Sequence, residues 1–584
     1  MNVIYRLLRF SKKYWVYFLI AIICLLAGTA FNLAIPEIVS SAIDNAISQG
    51  DYRYLVYLAI GILGASILRG AAAYGSQYFG EVASQKVAYD VRNAMFNHLQ
   101  RLSFSYHDRA QTGQLMSRAT ADVEAVRMLI ARGILTTLQL FILITSISVI
   151  LLIKNWQLGL ITLAFVPVIM IRGRLVAIIL QPVWMRIQQL VAELGTILEE
   201  NLVGIRSIRA YLQHKRESRR FATSATKLYN EQGRVIRIRS INTPLYTLLI
   251  TLPIGLILWY GGRQIIAGNL TPGDLTAFMV YFGIMAMPVR QLGIMVGMVS
   301  RAVSAGSRIF EVLDTDPDIV SKRHAVMLDR PVGSVRFKNV SFSYDESVPA
   351  LRNVDFLANP GDMVALVGTS GSGKTTIASL IPRFYDASDG AITIDDIDIR
   401  DVDVRSLRKS IGIVQQDIFI FAATIRENLV YGAVDATPEQ VEAAARAAHL
   451  HDFIESLPAG YDTWVGERGI TLSGGEKQRL SIARTVLTDP PIMIFDDSTS
   501  SVDVETERFI YDAIRELSKD RTTFIITNRL SLIRNADMIL VLDKGNLVAS
   551  GKHGELLKTS DIYRHIYQLQ SNEPVDLDNT GNGA

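Results

Sequence analysis

Gly368-Thr-Ser-Gly-Ser-Gly-Lys374-Thr375 lies between two apolar runs, Met363–Val367 and Thr376–Ile381. This fits the pattern G-x-x-x-x-G-K-[ST] in the setting that the pattern needs, a buried strand that turns directly into a helix. Loop amides and the positive end of the helix can then point at a polyphosphate, Lys374 adds a charge, and the Thr375 hydroxyl can ligate Mg²⁺. The stretch predicts ATP or GTP as ligand, against the alternative of a chance Gly/Ser loop.

The composition indicates a membrane protein with more than one domain. A chain of 584 residues exceeds the usual domain size, and 49% hydrophobic residues with a mean hydropathy of +0.25 suggest that part of it lies in lipid. The net charge of +3 gives no special affinity for nucleic acid, so we expect no nucleic-acid partner. The single cysteine, Cys24, excludes an intrachain disulfide.

Six apolar runs are long enough to cross a bilayer, which takes about 20 residues. A cleaved signal peptide is the competing interpretation of the first run, but its apolar stretch would be shorter, about 7–15 residues. The fold predicted for residues 1–315 is therefore a membrane α-helical bundle. The six predicted transmembrane helices are Tyr14–Ile35, Tyr54–Tyr74, Ile134–Ile153, Leu158–Leu180, Leu245–Ala267 and Leu275–Val299.

Long polar stretches follow the second and fourth runs, at 76–133 and 181–240. Their apolar residues still recur at helical spacing, which predicts helices that extend past the membrane and turn back. The turns are expected near Ser103–Gly113 and Ala210–Arg219. Such turns are suited to docking on a cytoplasmic domain.

The distribution of basic residues predicts the orientation. Both long stretches are rich in Arg and Lys. The connections at 37–53 and 260–274 contain only one basic residue each, Arg53 and Arg263. Positive charge collects on the cytoplasmic side. We therefore expect a multi-pass protein of the cell membrane with both termini and both long stretches in the cytoplasm.

After Leu313 the composition changes. Acidic residues, Pro331 and Gly333 indicate a linker over 316–333. Strands such as Thr393–Ile399 and Ile411–Val414 then alternate with helices such as Pro438–His449, which predicts an α/β P-loop ATPase domain over 334–570. The tail 571–584 has too few apolar residues to pack and is expected to be disordered.

Two further motifs belong to this domain. Pro491-Ile-Met-Ile-Phe-Asp496 predicts a buried strand whose carboxylate holds Mg²⁺ through water beside the phosphate loop. Leu472-Ser-Gly-Gly-Glu476 opens a helix and forms a second anion surface. One nucleotide would not need both surfaces, which suggests that two such domains meet face to face and complete each other's sites.

With these motifs in this order, the chain resembles a half-transporter of the ATP-binding cassette family, of the exporter type. The resemblance implies that Tyr344 stacks on adenine, that Gln416 links Mg²⁺ and water to the membrane part, and that Ser501–Asp503 is the D-loop. The two cytoplasmic turns would be coupling helices. The residues assigned to ATP are Tyr344, Gly368, Thr369, Ser370, Gly371, Ser372, Gly373, Lys374, Thr375, Thr376, Ser473, Gly474, Gly475 and Glu476, and those assigned to Mg²⁺ are Thr375, Gln416 and Asp496.

Three positions depart from the family pattern. The catalytic Glu is replaced by Asp497, the switch His by Asn528, and the usual Gln of the second anion motif by Glu476. The shorter Asp withdraws the base from its water, and misplacement by about 1 Å can cost about 10²-fold in rate. The site is therefore expected to bind ATP and turn it over slowly, as in the degenerate-site subunit of heterodimeric bacterial multidrug exporters. Its catalytic positions are Asp497, Asn528 and Gln416.

The leading hypothesis is a subunit of an ATP-driven exporter that moves amphipathic, drug-like or lipid-like compounds out of the cytoplasm or inner leaflet. The expected partners are membrane lipids, a hydrophobic or amphipathic small-molecule substrate and a homologous half-transporter, with a homodimer as second choice. The alternatives are an ATP-regulated channel or regulatory subunit, a lipid flippase and a peptide exporter. Arginines within the runs either face a cavity or extend to the cytoplasmic interface: Arg69, Arg172, Arg174 and Arg290.

Overall fold

The computed structural model describes residues 2–48, 50–345, 348–496, 504–527 and 529–571. The chain divides into two compact units. The first comprises the residues up to 100 together with 112–315, and the second comprises 101–111 together with the residues from 316 onward. A short segment from the middle of the helical half of the sequence therefore belongs to the second unit.

The first unit consists of helices. One helix from this half of the sequence, α4, lies in the segment that belongs to the second unit. Turns of π-helix extend α2 and join α5, α6 and α7 into one helical stretch over 112–154. The helices of this part of the sequence are α1 (Asn2–Ser11), α2 (Trp15–Ser41), α3 (Tyr52–Leu99), α4 (Phe104–Arg109), α5 (Thr112–Ser117), α6 (Val123–Met128), α7 (Ile134–Lys154), α8 (Trp156–Val203), α9 (Ile205–Ala210), α10 (His214–Ile266) and α11 (Pro272–Leu313).

Among the described residues, five helical stretches are long and apolar enough to cross a membrane. They contain the first four predicted runs and all of the fifth except Ala267. The sixth predicted run, Leu275–Val299, lies within α11, part of which falls outside the described side chains. The number six is therefore not confirmed and stays a prediction. The five stretches are Val3–Ile47, Tyr52–Leu99, Thr112–Lys154, Trp156–Val203 and His214–Ile266.

An ionic network joins the ends of α2, α7 and α11. The Lys154 ammonium at the end of α7 lies 2.9 Å from Glu37 of α2 and 2.7 Å from Asp274 of α11. The Asp44 carboxylate also accepts a hydrogen bond from the Gly273 amide at 2.8 Å. The connections 37–53 and 260–274, which carry few basic residues, therefore meet at one end of the helical unit.

At the other end, α1 packs on the last turns of α11. Leu7 is buried in a cluster with Ile309 and Phe310. The Arg6 guanidinium lies 3.8 Å from the centre of the Phe310 ring and pairs with Asp314 at 2.5 Å. Part of the apolar face of α1 is thus covered by protein.

All the strands of the described residues lie in the second unit. These are β1 (Val335–Asp345), β2 (Val348–Ala358), β3 (Met363–Gly368), β4 (Asp389–Ile394), β5 (Ile397–Asp398), β6 (Ile411–Val414), β7 (Ala423–Thr424), β8 (Trp464–Val465), β9 (Ile492–Asp496), β10 (Thr522–Ile526), β11 (Met538–Asp543) and β12 (Asn546–Gly551). Its helices are α12 (Lys374–Leu380), α13 (Val404–Lys409), α14 (Ile425–Leu429), α15 (Pro438–Ala447), α16 (His451–Glu455), α17 (Gly474–Val486), α18 (Val504–Leu517), α19 (Leu530–Ile533), α20 (His553–Thr559) and α21 (Asp561–Ser571).

A six-stranded sheet in the order β12-β11-β3-β10-β9-β6 forms the centre of this unit. All its neighbouring strands pair in parallel except β12 with β11. A four-stranded antiparallel sheet, β2-β1-β4-β5, lies in the same unit. Because the carboxyl ends of parallel strands share one edge, the carboxyl ends of β3, β9 and β6 lie together there.

One predicted strand is wrong. The run Thr393–Ile399 is divided between β4 and β5, because Asp395 and Asp396 adopt positive φ angles of 48° and 62°. Two such residues form a tight hairpin turn. Within 316–333 the described chain forms no helix or strand of its own, although Val326 pairs with Val402. The predicted tail, 571–584, lies outside the described residues except for Ser571.

A candidate nucleotide-binding site

The phosphate loop connects a buried strand to a helix, as its sequence predicts. All six residues of β3 are buried, and α12 begins at Lys374. Gly371 and Gly373 have φ angles of +77° and +104°, in the left-handed region that favours glycine. A Cβ atom at Gly373 would also lie only 2.9 Å from the Ala350 carbonyl oxygen. The loop therefore requires glycine at these positions, and its backbone remains open to a ligand.

Lys374 folds back over its own loop. Its ammonium donates hydrogen bonds to the carbonyl oxygens of Gly368 at 2.9 Å and Thr369 at 2.8 Å. The positive charge is thus held at the centre of the loop, between backbone and solvent. A phosphate in the loop would lie beside this charge.

Ser372 provides a test of whether a phosphate fits. Its side chain is buried, and its hydroxyl oxygen has no hydrogen-bond partner among the described residues. Buried hydroxyls are almost always satisfied in folded proteins. A phosphate oxygen is an acceptor that this hydroxyl can use, so the loop fits the ligand that the sequence predicts.

Oxygen groups suited to Mg²⁺ lie on the same sheet edge. The Thr375 hydroxyl is 3.5 Å from the Asp496 carboxylate at the end of β9. Gln416 follows β6, the neighbour of β9, and is exposed. Mg²⁺ prefers oxygen ligands and keeps several waters, and these three groups would hold it and bring its charge to the phosphates. The catalytic candidates Asp497 and Asn528, like the D-loop Ser501–Asp503, lie outside the described residues.

Tyr344 lies beside the helix that follows the phosphate loop. Its hydroxyl is 3.4 Å from the Thr376 hydroxyl, and 45% of the residue is exposed. An exposed aromatic face at this place can stack on a flat base. Sequence reasoning missed Tyr385, whose ring centre lies 5.2 Å from that of Tyr344 in an edge-to-face arrangement.

The second anion motif forms the start of α17. The Ser473 hydroxyl accepts a hydrogen bond from the Glu476 amide at 3.3 Å, and the Glu476 carboxylate accepts one from the Ser473 amide at 2.7 Å. This reciprocal pair is a capping box, which the pattern Ser-x-x-Glu alone could have revealed. Ser473 and Gly474 are exposed, whereas Gly475 is buried. The helix start therefore faces solvent with a carboxylate already in place.

Comparison with known proteins identifies the family. A family model described as the ABC transporter transmembrane region matches residues 18–289, and a second, described as ABC transporter, matches residues 351–500. An uncharacterized ABC transporter ATP-binding protein of Bacillus subtilis, YknU, is 37% identical over 96% of this chain and 97% of its own length. The chain belongs to the ABC transporter family. It is a multi-pass membrane protein with an ABC ATPase domain that binds ATP.

Other relatives place this ABC transporter among exporters. The ATP-dependent lipid A-core flippase of Syntrophus aciditrophicus is 35% identical over 98% of this chain and 95% of its own length. A putative multidrug export ATP-binding/permease protein of Bacillus subtilis, YgaD, is 35% identical over 98% of this chain and all of its own length. The structure of a bacterial Atm1-family ABC exporter with ATP bound superposes with a TM-score of 0.79 at 32% identity, covering 95% of this chain and 98% of that one. The chain is thus an ABC exporter half-transporter with an Atm1-like fold.

Proposed function

We propose that this chain is one subunit of an ATP-driven exporter that moves amphipathic, drug-like or lipid-like compounds out of the cytoplasm or inner leaflet. The observation that carries the proposal is the similarity over nearly the whole chain to an ATP-bound exporter. Relatives named for lipid and multidrug export support the substrate class. The phosphate loop, with its buried unpartnered Ser372 hydroxyl, supports ATP as the energy source.

The chain's own catalytic site is proposed to be slow. Asp497 stands where the family has Glu, and Asn528 stands where it has His. Asp496 and Thr375 would hold Mg²⁺ and keep ATP bound, whereas the base and the γ-phosphate contact are weakened. Bound ATP then serves mainly to hold two nucleotide-binding domains together.

The partner is proposed to be a homologous half-transporter that supplies a catalytic Glu and a switch His. The partner's nucleotide-binding site would be completed by the exposed start of α17 in this chain, at Ser473 and Gly474. A homodimer is the second choice, because it would carry the short carboxylate at both sites.

A second surface supports a partner chain. The turn around α9 exposes Ile205 (42%), Tyr211 (75%) and Leu212 (77%). The other cytoplasmic turn, 101–111, belongs to this chain's own second unit, whereas the α9 turn does not. We propose that the α9 turn docks on the nucleotide-binding domain of the partner, which would cover these apolar side chains.

Both termini and the nucleotide-binding domain are proposed to be cytoplasmic, in the cell membrane. The sparse basic charge of 37–53 and 260–274 supports this orientation. Cysteines introduced at Asn45 and Asn269, in a Cys24→Ala background, should react with an impermeant thiol reagent in intact cells. Labelling only after lysis would contradict the topology.

Reconstitution tests the function directly. The chain is purified from its native membrane with whatever copurifies, its partner is identified by mass spectrometry, and the complex is placed in proteoliposomes. ATP-dependent movement of an amphipathic dye or labelled lipid against a gradient is expected. ATP-dependent leakage down a gradient would instead indicate a channel or regulatory subunit.

A further inference from the structure

The segment Arg101–Gln111 is held on the nucleotide-binding unit by three kinds of contact. The Phe104 ring of α4 stacks on Phe384 with the ring centres 4.2 Å apart. The Ser103 hydroxyl donates to the Asp318 carboxylate at 3.0 Å, and Ser105 donates to the same oxygen. The Tyr385 hydroxyl donates a hydrogen bond to the Asp108 carboxylate.

Tyr385 also belongs to a cluster of three rings. Its ring centre is 5.2 Å from that of Tyr344 and 5.5 Å from that of Phe342, and the Phe342 and Tyr344 rings are 4.8 Å apart. The planes of Tyr344 and Tyr385 are nearly perpendicular, at 84°. Edge-to-face pairs are a favourable arrangement with a preferred geometry. The ring of Tyr385 therefore lies against the Tyr344 ring, to which adenine stacking is assigned, while its hydroxyl binds Asp108 in the segment Arg101–Gln111.

The loop that carries Tyr385 is fixed on both sides. The buried Arg383 guanidinium pairs with Asp386 at 2.7 Å. Arg408 donates to the carbonyl oxygens of Pro382 at 3.2 Å and Arg383 at 2.9 Å. The backbone around Tyr385 is therefore held in place on both sides of the residue.

The hydroxyl is a permanent donor. Burial, and then the hydrogen bond to Asp108, raise the pKa of Tyr385 well above its usual value. The phenol therefore stays protonated throughout the pH range of an ATPase assay. Asp108 is exposed and lies in α4. This helix is connected along the chain to the long helix α3 before it and to α5 after it.

We propose that Tyr385 is a positioning residue that reports the base bound at Tyr344 to the segment Arg101–Gln111, through its edge-to-face ring contact and its hydrogen bond to Asp108. The inference rests on the proposed stacking of adenine on Tyr344. Adenine fixes the Tyr344 ring, the Tyr385 ring follows, and the position of Asp108 changes with it. A smaller pyrimidine base covers less of the Tyr344 ring and should fix it less well.

The test measures movement of the segment and does not depend on transport. In the assembled complex, with Cys24→Ala, Arg109→Cys carries an environment-sensitive fluorophore. The emission change is recorded at saturating ATP and at saturating CTP, and ATP affinity is measured separately by equilibrium dialysis. We expect a larger change with ATP than with CTP in the parent protein.

Tyr385→Phe keeps the ring and removes the hydroxyl. The ATP response should fall about fivefold, to the level of CTP, while ATP affinity stays the same. Ser105→Ala is the matched control, because it weakens the docking of the same segment without touching the rings. It should lower both responses equally and leave their ratio unchanged.

Asp108→Ala removes the acceptor at an exposed position and gives a second route if Tyr385→Phe does not fold. It should reproduce the Tyr385→Phe result, and the double variant should show no further loss. An unchanged ATP-to-CTP ratio in both single variants, or equal responses to both nucleotides in the parent, would overturn the inference. A complex that keeps the response but moves no substrate would refute the proposed function alone.

Discussion

The two surfaces of the nucleotide-binding unit that we propose to bind anions have the same arrangement but differ in charge. Each is a glycine-containing turn that opens a helix, α12 in the phosphate loop and α17 in the second motif. At the first, Lys374 adds a positive charge and the Ser372 hydroxyl is buried without a described partner. At the second, the Ser473 hydroxyl and the Glu476 carboxylate satisfy each other.

This difference indicates how each surface obtains its ligand. A helix start carries about half a positive charge, which Lys374 increases and Glu476 reduces. The phosphate loop has groups for both phosphate and Mg²⁺ and can hold a nucleotide within one chain. At the start of α17 the Glu476 carboxylate is already bonded to the Ser473 amide, so we expect this surface to act on a nucleotide presented by a partner.

The largest expected effect comes from adding charge to the second surface. Gly474→Asp places a carboxylate at an exposed position of the first turn of α17, where the helix tolerates an acid but a γ-phosphate is repelled. ATPase activity of the assembled complex should fall about 1000-fold, since unit charges 4 Å apart interact by about 4 kcal/mol at an effective dielectric constant of 20 and each 1.4 kcal/mol is about tenfold in rate. Gly474→Asn is the neutral control of similar size and should lose much less.

The same assay locates the active site. Asp497→Asn should change the ATPase activity of the complex less than about twofold, because the proposed active site uses the partner's Glu. The corresponding change in the partner should nearly abolish activity. If this chain alone forms a homodimer whose fast ATPase is eliminated by Asp497→Asn, the heterodimer proposal is wrong.

Lys374→Ala should weaken ATP binding to this chain's own site by about 10- to 100-fold, because a hydrogen bond to a charged group contributes about 1.5–3 kcal/mol. Lys477→Ala is the matched control, since Lys477 lies in the first turn of α17. It should change ATP affinity less than about twofold. Equilibrium dialysis with the purified chain measures both, and equal losses would erase the contrast between the two surfaces.

A modest gain in activity should come from Glu476→Gln. Glutamine can keep the capping box, so the fold of α17 should be preserved, while the negative charge at the helix start is removed. Helix-end charges contribute about 0.3–1 kcal/mol, so the ATPase rate of the complex should rise about two- to fivefold. A fall in rate with unchanged thermal stability would show that the carboxylate itself is needed.

Much of the fold could be predicted because each signal is local. A long uncharged run such as Tyr14–Ile35 must avoid water, and strand, glycine loop and lysine at Met363–Lys374 encode the phosphate loop in adjacent residues. The exceptions are also local in origin. The hairpin at Asp395 and Asp396 requires positive φ angles. Aspartate tolerates these angles, but its presence in the sequence does not predict them.

By itself, the sequence determined the class of ligand, the apolar runs and the family, since each depends on neighbours along the chain. Only the tertiary structure decided that segment 101–111 joins the nucleotide-binding unit, that Tyr385 lies between Tyr344 and Asp108, and that the Ser372 hydroxyl is buried without a described partner. The physical reason is distance along the chain. Asp108 and Tyr385 are 277 positions apart, and contacts at such separation depend on how whole elements pack, which local patterns do not encode.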